Sequence, residues 1–221
     1  MKDRDFTVIA VALDTAGSRA AKPFACAESA ADVPPPIRNI MGWSDELWDA
    51  ASKPTFPSLV DAGHLIGRLY GITNVPSAVW IDEEGKIVRP PESAGSHDVV
   101  RHINIETFEV PEDVVSRGRE VRAHYLNAVR DWIKLGEASR FALSEADVRK
   151  RLSGVSSKQS LAAANFQLGA HLYASGEHDA AKPFFEEAVR LEPHVWTYRR
   201  QKIAVAEDEA VGEIAASPEY W

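Results

Sequence analysis

A single cysteine, Cys26, occurs in the whole chain. An intrachain disulfide is therefore excluded, and so is a zinc site built on several thiolates. One thiol is compatible with a reducing compartment but does not require it. Long apolar runs are missing too, and nothing reaches the roughly 18 residues of a membrane-crossing helix. Positive charge is scarce: 25 lysines and arginines face 33 aspartates and glutamates, for a net charge of -8. That balance argues against nucleic acid or an anionic membrane as partner. The histidines His64, His97, His102, His124, His171, His178 and His194 show no metal-ligand spacing, and no glycine-rich phosphate loop is present. No metal and no cofactor is expected.

Hydrophobic residues make up 45% of the 221 positions, enough to bury a core in one or two domains. Phe6 to Leu13 is a near-continuous apolar stretch closed by Asp14. It reads as a strand covered on both faces, and not as a signal peptide, because no small-residue cleavage site follows. Ser18 to Ser29 is alanine-rich and has helical character, with Pro23 near its start, and Asp32 to Pro36 is loop. Ser44 is placed to cap a short helix carrying Leu47 and Trp48. Pro54 to Asp61 reads as a strand. Asp61 then caps a helix from His64 to Tyr70, with Leu65, Ile66 and Leu69 turned inward and Gly71 as its stop. Val75 to Asp82 is a strand, Glu83-Glu84-Gly85 a solvated turn, and Lys86 to Arg89 the returning strand, halted by Pro90-Pro91.

From Pro111 the pattern becomes helical. Val114, Val121, Tyr125, Val129 and Trp132 form one apolar stripe, and Gly136 ends that helix. Ser144 to Asp147 has the form of a capping box. Helices are expected from about Lys158 to Ser175, from His178 to Leu191, and from about Val195 to Ala215. Within them Leu168-Gly169, Gly176, Ala181, Phe185, Ala188 and Pro193 fall where a tetratricopeptide repeat sets its packing residues. Gly169 and Ala181 would let two helices approach, and Phe185 would fill the space between them. Asn165 and Leu172 depart from the usual aromatic residues of that repeat. Val195 to Gln201 places an aromatic side for docking on the hairpin.

The run Phe56-Pro57-Ser58-Leu59-Val60-Asp61, then Leu69-Tyr70-Gly71-Ile72, Asn74-Val75-Pro76-Ser77 and Trp80-Ile81-Asp82-Glu83-Glu84-Gly85-Lys86-Ile87-Val88 resembles the thioredoxin-like reductases of the TlpA and ResA type. The likeness covers about residues 6 to 92. It implies a thioredoxin-like α/β fold, a cis bond between Val75 and Pro76, and backbone groups near Val75, Pro76 and Ser77 that receive an extended peptide as an added strand. It also implies thiol–disulfide oxidoreductase activity, which the residues present do not support. The family's Cys-x-x-Cys pair and its strand and helix have no counterpart here, and without a second cysteine the intramolecular dithiol cycle cannot run. Cys26 lies outside the catalytic position and is read as a packing residue, with a peroxidatic or resolving thiol as the alternative.

In the family the absent strand lies between the one at 6–13 and the one at 77–81. Its loss implies a gap with two unpaired edges, a new pairing, or an occupant from another segment or chain. The favoured expectation is a truncated form of a longer product. The reading is thus an incomplete thioredoxin-like sheet over residues 1–92, a linker at 93–110, and an all-α tail at 111–221 with a tetratricopeptide-like hairpin at 162–195. The expected function is a redox-inactive protein-interaction module with a protein or peptide partner, a second copy completing the sheet being one form of it. The alternatives are an oxidoreductase whose cysteines lie upstream and a plain helical adaptor. Location is read as cytoplasmic from the sequence as written, or extracytoplasmic with an upstream targeting segment.

Overall fold

The computed structural model describes residues 6–14, 17–18, 46, 56–104, 106–107, 109–152 and 154–206. Cys26 and the elements expected around Pro23, Asp32–Pro36 and Ser44 lie outside them, as does the end of the last expected helix. The described architecture is mixed: two small two-stranded sheets, then a helical C-terminal part.

In the apolar stretch from Phe6 to Leu13, only β1 (Ala10–Ala12) is strand. It runs parallel to β2 (Ser58–Val60), with Ala10 opposite Ser58 and Ala12 opposite Val60. Backbone bonds from Ala10 N to Pro57 O (2.9 Å) and from Asp61 N to Ala12 O (2.8 Å) extend this ladder at both ends. The expectation of a strand covered on both faces fails. Val8 is 44% and Ile9 58% exposed, and successive residues of an extended chain point to opposite sides. So short a ladder, paired along one edge among the described residues, presents no surface on which two layers could rest.

Helix α1 (Leu65–Tyr70) follows β2. Its cap is the Asp61 carboxylate, which accepts hydrogen bonds from the backbone N–H of Leu65 (2.9 Å), Ile66 (2.7 Å) and Gly67 (3.3 Å). Gly71, at φ 69, ends the helix as expected. Its inward face is not the expected one. Gly67 is buried, whereas Leu65 and Leu69 are largely exposed. A Cβ at position 67 would stand 3.4 Å from Leu13 Cδ1. The helix therefore rests on Leu13 through its residue without a side chain, and this turns the two leucines outward.

Strands β3 (Ser77–Ile81) and β4 (Ile87–Ser93) form an antiparallel hairpin. Asp82 organises the turn: its Oδ1 accepts from the N–H of Glu84 (3.1 Å) and Lys86 (2.8 Å). Pro90 and Pro91 do not halt β4. Register shifts between Ala78 and Trp80, opposite these prolines, interrupt the ladder where proline has no N–H to give.

Helix α2 (Glu112–Leu135) packs against the hairpin through Trp80 and against Phe6 ahead of β1. Trp80, 5% exposed, stacks on Trp132 at 5.1 Å, and its Nε1 donates to the Tyr125 hydroxyl at 2.8 Å. Phe6 meets Trp132 edge-on at 6.4 Å. Arg89 lies 5.0 Å over the Trp80 ring, donates through Nη1 to the Phe141 carbonyl (2.8 Å) and pairs with Glu92 through Nε and Nη2. Leu143 N adds a bond to Val88 O at 3.1 Å. Helix α3 (Glu145–Arg151) follows, and the Ser144 hydroxyl accepts from Asp147 N. The expected capping box is only half formed, because the Asp147 carboxylate accepts from the Ser144 hydroxyl and does not reach back to the backbone.

The helical tail consists of α4 (Ser157–Ala174), α5 (His178–Leu191) and α6 (Trp196–Ala206). A full capping box of Ser156 and Gln159 opens α4. Its core is Phe166, Ala170, Ala181, Phe185 and Ala188. Phe166 and Phe185 are 1% exposed and meet edge-on at 5.4 Å, a burial worth about 1.5–3 kcal/mol for each ring. Gly169 faces Phe185 so closely that a Cβ would stand 3.2 Å from the ring. The small residues at 169 and 181 and the ring at 185 pack as the sequence leads one to expect.

Candidate functional site

The loop from Ile72 to Pro76 carries the residues the sequence singles out. It leaves α1 through Gly71 and enters β3 at Ser77. The Val75–Pro76 bond is cis. Val75 is 41% exposed, and its backbone N–H is held by the Asn74 side chain, whose Oδ1 accepts at 2.8 Å. The Ser77 hydroxyl donates to Asn74 O at 2.6 Å, and Pro76 O accepts from Ala94 N at 3.3 Å. The structure therefore brings Val75, Pro76 and Ser77 together at the mouth of the hairpin. Asn74 was not singled out, although an asparagine that bonds the following backbone is a known turn signal.

The tail holds this loop from behind. Trp196 N, at the start of α6, donates to Thr73 O at 2.7 Å. At the other end of α1, Gln167 Nε2 donates to Gly63 O at 2.7 Å. Neither contact was legible beforehand, because each joins residues far apart in the chain.

β3 pairs with β4 alone among the described residues, and β1 with β2 alone. Among the described residues each strand thus has one unpaired edge. Exposed apolar side chains crowd this half of the molecule: Val8, Ile9, Leu59, Leu65, Leu69 and Ile81, besides Val75. Among the described residues no group of three or more histidine, cysteine, aspartate or glutamate side chains is placed to hold a metal ion. No described helix is long and apolar enough to cross a membrane.

Scans against protein-family models, curated proteins and solved structures return no match for this chain.

Proposed function

We propose that the β1–β4 region is an incomplete thioredoxin-like unit, joined to a tail with a tetratricopeptide-like hairpin, and that it works as a protein-interaction module without thiol redox chemistry of its own. Its ligand is an extended peptide that adds to the free edge of β3, next to Val75, Pro76 and Ser77. The observation that carries this reading is the edge of β3 that no described strand pairs with, continuing directly from an exposed Val75. Strand addition draws its affinity from backbone bonds and its selectivity from alternate side chains. The order of β2, the Asp61-capped helix, the Gly71 stop, the loop and the hairpin supports the thioredoxin-like part. The lone Cys26 supports the absence of dithiol turnover.

Titration calorimetry with a panel of extended apolar peptides tests binding. Val75→Asp, which places a charge where the peptide would lie, is expected to abolish it. Asn74→Ala, which removes the internal acceptor from the Val75 N–H, is expected to tighten it. Equal affinity for the wild type and Val75→Asp would remove the reading.

A second reading is an oxidoreductase whose cysteines belong to upstream sequence. The lack of pairing between the two sheets among the described residues favours it, since the strand missing from the family pattern would lie between them. The reading frame upstream of Met1 separates the two: a Cys-x-x-Cys stretch there, with insulin reduction by the product that carries it, would establish redox chemistry, and a stop codon just before Met1 would remove it.

A further inference from the structure

His64 has no part in peptide binding, yet it is the most enclosed titratable side chain at the seam between α1 and the tail. It is 4% exposed and sits at φ 52, a left-handed conformation unusual for a residue with a side chain. Its imidazole meets the ring of Phe166, in the middle of α4, edge-on at 4.9 Å. Phe166 in turn stacks on Tyr198 of α6 at 4.6 Å. The neighbouring Gly63 carbonyl takes the Gln167 amide, and the Thr73 carbonyl takes Trp196 N. The tail thus grips residues 63–73 at both ends, with His64 packed into one grip.

We propose that this seam is a pH-sensitive latch, closed by neutral His64 and released when its imidazole takes up a proton. A charged imidazolium enclosed beside an aromatic core is disfavoured relative to one in water. Charged and titratable groups act on it from several elements. Asp61 at the end of β2 and Asp14 after β1 both favour the cation. α4 presents Phe166 and Gln167, neither of which titrates. α6 presents Tyr198, whose phenol burial pushes above its ordinary value, so it stays neutral through the acid range; Glu192 and Arg68 act on that phenol. Burial outweighs the two aspartates and holds His64 below its ordinary value of 6.5. An exposed His64 therefore takes up a proton before an enclosed one does. Above pH 6.5 the seam contributes in full, and as pH falls below that value opening becomes progressively favoured.

Hydrogen exchange on the full chain at pH 7.5 and 5.5, corrected for the intrinsic rate, tests the latch. The wild type is expected to lose protection at the lower pH in peptides spanning residues 61–73 and 160–170. His64→Asn, which tolerates a left-handed backbone and does not titrate there, is expected to show equal protection at both values. Gln167→Ala keeps the imidazole and is expected to weaken the seam while retaining the acid step. A wild type without acid-dependent loss, or a His64→Asn variant that still shows it, overturns the proposal. Should His64→Asn not fold, the wild-type imidazole titration followed by NMR decides. A midpoint below 6.5 supports the latch, and one at or above 6.5 overturns it.

Discussion

Gly169 shows how one missing side chain positions two helices. A Cβ there would lie 3.2 Å from the Phe185 ring, inside ordinary contact distance. Gly169→Ala is therefore expected to destabilise the chain by about 1–3 kcal/mol through overpacking, read from the denaturant midpoint. Shrinking the ring in Gly169→Ala/Phe185→Leu is expected to cost less than the sum of the two single changes, because the two residues share one space. Asp61 acts at the same scale. Its carboxylate satisfies three backbone N–H groups at the start of α1, and Asp61→Ala is expected to cost about 2 kcal/mol, at the upper end for a lost cap. Both residues were legible beforehand, Asp61 because capping is a local rule and Gly169 because it falls at a packing position of the repeat pattern. His64 was not: its burial depends on Phe166, about a hundred positions away, and no local pattern announces it.

Among the elements, the hairpin shows what local reading catches and misses. The Glu83-Glu84-Gly85 turn located the hairpin, but the strand expected from Val75 to Asp82 is shorter, Ser77 to Ile81, because Val75 and Pro76 belong to the loop before it. The rule that proline halts a strand then ended β4 too early, because it took no account of the register shift that leaves those positions without a required donor. Helix α1 was placed correctly but rotated wrongly. Leucine spacing marks an apolar face, but here contact with Leu13 goes through Gly67. Arg89 ties the hairpin to the loop after α2, and it and Glu92 are well shielded, with side chains 18% and 23% exposed. Arg89→Met removes the pair, the bond to Phe141 O and the cover of Trp80, for an expected loss of about 2–3 kcal/mol in chemical denaturation. Lys86→Ala, which breaks a fully solvated pair with Glu84, is expected to leave the unfolding midpoint unchanged.

At the scale of the whole molecule the two parts differ in how they treat their apolar residues. The tail encloses Phe166, Phe185 and its alanines but leaves Val155, Leu161 and Leu168 exposed, and the sheet part, with a smaller core, leaves Val8, Ile9, Leu59, Leu65, Leu69, Val75 and Ile81 exposed. Exposed apolar side chains beside an unpaired strand edge suit the reception of another surface. The peptide-binding reading depends on that openness, and on the edges of β1 and β3 being free of each other. A map of cross-strand nuclear Overhauser contacts on the full chain tests it most directly. It should join Ala10 to Ser58, Ala12 to Val60, Ser77 to Ser93 and Ile81 to Ile87, with nothing linking β1 to β3. Strong backbone contacts between β1 and β3 would mean one closed sheet with no edge between them for a peptide, and would contradict the account.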